Sequence, residues 1–209
     1  IMLLAGIGVS LFWNTSRTLD TLLTFAWVLG SVLELAASVW VMARWLNTPD
    51  NGGLQWAAFT PVFFIPVIGN VLAPLAGLTI GLESWATAQF GIGLFLWPVL
   101  QTMLLVRMVQ AGPLAARLSP SIFITMVAPS IIGLCFLQFD APPSLAWGSW
   151  GIGLFCLALS LTQIHTILEQ PFGLPHWAMS FPMAAFTTLS LRMSQEQGGA
   201  WLELPATLL

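Results

Sequence analysis

The sequence predicts an all-α integral membrane protein, a bundle of helical hairpins forming a single transmembrane domain over residues 1–209. Three observations carry that expectation. Charged residues make up 6% of the chain, with five Arg, no Lys and eight Asp or Glu, against roughly 25% in soluble domains. Apolar segments recur that approach the ~20 residues needed to cross a hydrocarbon core of ~30 Å. Finally, three of them, FFIPVIGNVLAPLAG (63–77), ITMVAPSIIGLCFL (124–137) and HWAMSFPMAAFTTLSL (176–191), carry proline in their interior. Lipid cannot satisfy the carbonyl that proline frees, so such helices face protein or a watery path.

Apolar runs place helices at about 1–13, 21–46, 57–80, 87–110, 119–139, 144–169 and 174–193, with a last one beginning near 199. Polar or Pro/Gly-bearing joints separate them, at Asn14 to Asp20, Asn47 to Gly53, Gly81 to Ser84, Ala111 to Arg117, Asp140 to Ser144 and Gln195 to Gly199. Trp13, Trp45, Trp56, Trp85, Trp147, Trp177 and Trp201 lie near these boundaries, where an amphipathic ring prefers the headgroup level. Asn14-Thr15-Ser16 matches a glycosylation sequon too short to build on. The chain opens and closes inside hydrophobic runs, so a fragment with spans missing at both ends is expected. Arg44, Arg107 and Arg117 fall at one membrane face and Arg17 and Arg192 at the other, a narrow bias toward the first face as cytoplasmic.

An internal repeat organises the spans. Gly91-Ile92-Gly93-Leu94-Phe95 returns as Gly151-Ile152-Gly153-Leu154-Phe155, and Pro66-Val67-Ile68-Gly69 rhymes with Pro129-Ser130-Ile131-Ile132-Gly133. The unit is a hairpin of a proline-bearing helix and a smoother one. Two spans per unit keep every copy in one orientation, related by rotation about the membrane normal. That arrangement gathers the proline-bearing helices around a central axis.

The residues themselves offer few chemical groups. Pro66, Pro129 and Pro182 are candidate kinks that expose backbone groups to a lumen, or tolerated bends without a transport role. Pro74 and Pro98 are weaker candidates. Gly69, Gly133 and the Ala184-Ala185 pair either widen a lumen or let helices pack closely, and close packing is the commoner use of small residues. Gly91, Gly93, Gly151 and Gly153 read as packing positions. Glu34 is an acidic residue deep in a span, a candidate proton carrier or a neutral packing residue. Arg107 snorkels to the interface. His165 and His176 are either pH sensors or ordinary interfacial residues. Cys135 and Cys156 read as small buried hydrophobes. With no H-E-x-x-H, Cys-x-x-Cys, Walker loop or Ser/His/Asp set, neither an enzyme nor a cofactor or metal site is expected. The thinly spread charge of −3 offers no nucleic-acid patch.

FFIPVIGNVLAPLAG, FGIGLFLWPVL, PSIFITMVAPSIIG and HWAMSFPMAAFTTLSL, in this order, resemble the tellurite-resistance/dicarboxylate transporter family. That family includes bacterial TehA-type proteins and plant guard-cell slow anion channels. The likeness covers nearly the whole chain, and Trp177-Ala178-Met179-Ser180-Phe181-Pro182 is its most specific piece. The resemblance implies ten helices, as five hairpins in quasi-fivefold arrangement around a central pore, and a homotrimer. On that template the first two helices and most of the last are absent, helices 1–13, 57–80, 119–139 and 174–193 line the pore, and Glu34 sits on an outer helix. It also implies that Phe181 projects across the pore as a gate; from residues alone Phe181 is one of fourteen phenylalanines, whose ordinary role is packing.

The expected function is therefore a membrane channel or transporter for small anions, occluded by Phe181. No Arg or Lys stands in the core of the proline-bearing spans, and weak sites built from backbone dipoles suit rapid passage. The alternatives are a secondary carrier for C4-dicarboxylates or related acids, tellurite-linked efflux, and a structural membrane subunit. The expected partners are small anions and the lipid bilayer, and the expected compartment is a bacterial inner membrane.

Overall fold

The computed structural model describes residues 8, 17–47, 51 and 53–197. The expected helix 1–13, the last helix near 199, Trp13, Trp201 and the sequon lie outside them, apart from the helical Gly8. Among the described residues the secondary structure is helical throughout, without strands. The chain divides into two compact units, residues 1–59 with 65–100, and residues 60–64 with 101–209.

The first unit begins with α1 (Arg17–Trp45), 29 residues long with Asp20 in its first turn and Arg44 in its last, charges that complement the helix dipole. A 3-10 turn, Trp56–Ala58, leads toward α2 (Ile65–Val71) and the single turn α3 (Pro74–Gly77). Gly81, in the left-handed region at φ 77°, turns the chain into α4 (Glu83–Ala111). Trp27 is fully buried and packs with Ala73, Ala76 and Ala86. A closed polar network joins α1 to α4: Ser31 Oγ donates to Gln89 Oε1 at 2.7 Å, and Gln89 Nε2 returns a bond to the Ser31 carbonyl at 2.9 Å. Trp85 Nε1 donates to the same hydroxyl. Every polar atom in this exchange is used, as an apolar setting demands.

The second unit takes in the 3-10 turn Pro61–Phe64 and the last part of α4. Gly112, again at φ 77°, ends α4. An 11-residue 3-10 segment, Ala116–Met126, runs directly into α5 (Val127–Gln138). Then come α6 (Pro143–Leu161), α7 (Ile164–Leu168), α8 (Leu174–Trp177) and α9 (Ser180–Gln197). The core gathers Phe123, Met126, Trp150, Phe186, Leu189 and Met193. Phe186 stacks on Trp150 with ring centres 5.8 Å apart, and Trp150 Nε1 donates to Ser190 Oγ at 2.9 Å.

Among the described residues four helices are long and apolar enough to cross a bilayer: Arg17–Trp45, Glu83–Ala111, Ala116–Gln138 and Pro143–Leu161. Of the seven expected segments, 1–13 lies outside the described residues, and 57–80 and 174–193 are each broken at prolines and turns. Burial separates the four. The most apolar 18-residue window of Ala116–Gln138 is 83% buried, while those of α1 and α4 are 22% buried and turn residues such as Phe25, Leu33, Phe95 and Val99 outward. The outward faces match the apolarity of lipid, and the interrupted span is kept from it.

The pentapeptide repeat has a packing basis. In each copy the first glycine, Gly91 or Gly151, faces open space, and the second lies at a helix crossing. A Cβ on Gly93 would meet the Val71 amide nitrogen at 2.9 Å, and one on Gly153 would meet the Phe186 ring at 3.0 Å. Gly153→Val is therefore expected to lower stability by roughly 1–3 kcal/mol through overpacking. Gly151→Val should stay within ~0.5 kcal/mol. Thermal unfolding in detergent compares the pair, and equal shifts would show that the crossing is not tight.

Candidate functional site

The prolines start helices rather than bend continuous ones. Pro66 is the second residue of α2, Pro129 the third of α5 and Pro182 the third of α9. In a first turn the missing N–H had no intrahelical partner to lose. A 3-10 segment precedes α2 and α5, and a turn at Ala178–Met179 precedes α9. The expected kinks are thus changes of helix type, which proline permits because i→i+3 bonding ends where the α-helix begins. Pro98 differs, lying inside α4, which runs through it.

The Trp177–Pro182 motif follows a stiffened turn. His176 Nδ1 accepts the Gly173 amide at 3.1 Å, which leaves the ring proton on Nε2, facing the Ile167 carbonyl at 3.4 Å. Phe172 stacks on the His176 ring with centres 5.2 Å apart. Ser180 Oγ donates to the Trp177 carbonyl at 2.8 Å as α9 begins. Along α9 two faces then separate. Pro182, Ala185, Phe186, Leu189, Ser190 and Met193 are buried, whereas Phe181, Ala184, Thr188 and Leu191 are exposed at helical spacing. Ala184 therefore shares a face with Phe181, and Ala185 does not. Thr188 belongs to the same stripe and escaped the sequence reading; its spacing from Phe181 and Ala184 was the available signal. Its hydroxyl donates back to the Ala184 carbonyl at 2.7 Å.

Gly133 lies in a crossing, where a Cβ would meet Leu189 at 2.8 Å and Ser149 at 3.1 Å. In the first unit Gly69 lies under the carboxyl of Glu34, which occupies the space its own Cβ would need. Beside it, Asn70 Nδ2 donates to Ser38 Oγ at 2.7 Å and to the Pro66 carbonyl at 2.8 Å, and Ser38 Oγ donates to that carbonyl at 3.0 Å. Ser38 and Asn70 also escaped the sequence reading. Short polar residues are common in membrane helices, and only the fold shows these two meeting. Arg107 donates to the Gly112 carbonyl at 2.6 Å, Arg44 lies 4.8 Å from the Trp40 ring centre, and His165 is exposed. Cys135 and Cys156 are buried thiols, not joined in a disulfide. No group of three or more His, Cys, Asp or Glu that could hold a metal occurs among the described residues.

His176→Ala removes the acceptor of the Gly173 amide. Hydrogen exchange at that amide should speed up about fivefold, the equivalent of a bond of ~1 kcal/mol. Unchanged exchange would mean that the turn holds without the imidazole.

Comparison with known proteins agrees with this architecture. The family model described as voltage-dependent anion channel (SLAC1) matches residues 1–209. The chain is similar to the S-type anion channel SLAH2 of Arabidopsis thaliana, 28% identical over 66% of this chain and 27% of that protein. An uncharacterized transporter of Methanocaldococcus jannaschii is 24% identical over 88% of this chain and 56% of its own length. The S-type anion channel SLAH3 of Arabidopsis thaliana is 24% identical over 92% of this chain and 29% of its own length. The chain thus spans between about a quarter and somewhat over half of these relatives. No solved structure matches it. Matched by one family model from its first residue to its last, this chain belongs to the voltage-dependent anion channel (SLAC1) family.

Proposed function

We propose that this protein passes small anions across a membrane through a conduit lined by the proline-bearing spans, with Phe181 as its gate. The observation that carries this reading is the contrast in burial: the most apolar 18-residue window of Ala116–Gln138, the span that passes from 3-10 to α-helix at its prolines, is 83% buried, and that of the proline-free α1 only 22%. Interrupted backbone at membrane depth belongs inside protein or along a watery path. The start of α9 at Ser180 adds the positive end of a backbone dipole, which favours anions without binding them tightly. Phe181, 37% exposed at the start of α9, leads a stripe with Ala184 and Thr188 that fits a narrow apolar lumen. An aromatic ring there blocks hydrated ions and favours dewetting. Larger, weakly hydrated anions would then pass best, because they lose least on shedding water. Gly69, Gly133 and Ala185 serve the same conduit as close-packing positions that hold its walls.

The family membership supplies the anion chemistry of the reading. A C4-dicarboxylate carrier or tellurite-linked efflux is the second reading. It calls for fixed cations to pair with substrate carboxylates, and in the proline-bearing α2, α5 and α9 the one described cation is Arg192, near the end of α9. The conduit is therefore preferred. A quasi-fivefold arrangement of hairpins, a homotrimer and a bacterial inner membrane complete the proposal. The exposed apolar faces of α1, α4 and α6 suit contact with lipid or with neighbouring copies.

Anion flux into liposomes, intact protein against Phe181→Ala, tests the gate. The variant should raise flux at least about tenfold, the effect of lowering a barrier by ~1.4 kcal/mol. Unchanged flux with normal reconstitution would remove Phe181 from the gate, and equal, saturable uptake in both proteins would favour a carrier.

A further inference from the structure

The seam between α1 and α2 holds two acceptor oxygens with no donor. Glu34 Oε1 and Asn70 Oδ1 are both sealed from solvent without a hydrogen-bond partner, and Asn70 is 0% exposed. The orientation of the Asn70 amide follows from its neighbours. Its nitrogen donates to the Pro66 carbonyl, and turning the amide over would set two acceptors against each other. The bare atom is therefore Oδ1. Glu34 and Ser38 share one face of α1, a turn apart. The Glu34 carboxyl rests on Gly69, and Ser38 meets Asn70, the next residue of α2.

The charged groups on the neighbouring described elements are few and remote. On α1 they are Arg17 and Asp20 at its start and Arg44 at its end. Ten residues separate Arg44 from Glu34, about 15 Å along a helix. The segments α2 and α3 carry none. On α4 they are Glu83, its first residue, and Arg107, which donates to the Gly112 carbonyl. A carboxylate so placed in an apolar span is costly, and the described residues set no cationic side chain beside it.

We infer that Glu34 is an intramembrane proton-binding site whose acid form is completed by Asn70. A proton taken from water converts the carboxylate to a carboxylic acid. Its O–H donates to Asn70 Oδ1, so one proton satisfies both acceptors and adds a third tie between α1 and the start of α2, beside the two at Ser38. When the proton returns to water, a carboxylate is left facing an amide oxygen, and the seam next to Pro66 loosens. Because α2 belongs to a proline-bearing span, anion passage is linked to the protonation of Glu34; that consequence rests on the conduit reading, and the proton site does not.

Two measurements on the intact protein in liposomes separate them. Infrared difference spectra between neutral and alkaline buffer should show a carboxylic-acid carbonyl band that is lost in Glu34→Gln and shifted in Asn70→Leu. Glu34→Gln keeps a neutral donor toward Asn70 and stands for the protonated form. A spectrum unchanged by Glu34→Gln, or one that follows sodium rather than pH, would overturn the proton site. In flux assays across the same pH range, Glu34→Gln should lose the pH dependence of the wild type and hold its more acidic value. A wild-type pH profile retained in Glu34→Gln would overturn the link to transport. Absence of flux in every variant would instead count against the conduit, with the infrared band still deciding the proton site.

Discussion

An unpaired backbone carbonyl or amide costs several kcal/mol in an apolar medium, and this chain interrupts its apolar spans with proline. Much of the architecture follows from meeting that cost. Uninterrupted helices such as α1 satisfy their backbones internally and turn Phe25, Leu33 and Val39 outward. The interrupted span through Pro120 and Pro129 is enclosed instead, with Ser119 to Gly133 buried without a break. At Pro66 the enclosure is chemical as well as steric, since the carbonyl accepts from both Ser38 and Asn70.

The two units meet the same demand differently. In the second, large side chains fill the space around α5, and serines pair with carbonyls one turn back, Ser130 Oγ with Met126 and Ser160 Oγ with Cys156, while Trp150 Nε1 reaches across to Ser190 on α9. In the first, the helices are joined by side-chain amides and hydroxyls, through Ser31 with Gln89 and Ser38 with Asn70. Buried polar seams of this kind hold a defined geometry when complete and lose it when one donor is missing. The Glu34 carboxyl lies at the incomplete point.

Much of this was legible in the residues. Charge poverty and span length give a helical membrane protein, and the Gly-Ile-Gly-Leu-Phe repeat marks helix crossings because only its second glycine can sit against Val71 or Phe186. The prolines were legible as interruptions, but not as helix starts. Proline forbids one hydrogen bond and is silent on whether the preceding turns are α or 3-10. Glu34 was legible as costly. That it rests on Gly69 was not, because the contact joins positions 35 residues apart.

By itself, then, the sequence determined which segments avoid water, where their backbones are interrupted, and the family whose pattern they share. Composition and periodicity act locally, and those properties are local. Only the tertiary structure decided which face of α9 carries Phe181 with Ala184 and Thr188, which glycines are filled by neighbours, and that Glu34 Oε1 and Asn70 Oδ1 are among the buried oxygens that lack a donor. Those depend on how side chains from distant helices share space, and close packing fixes that arrangement once the chain has folded.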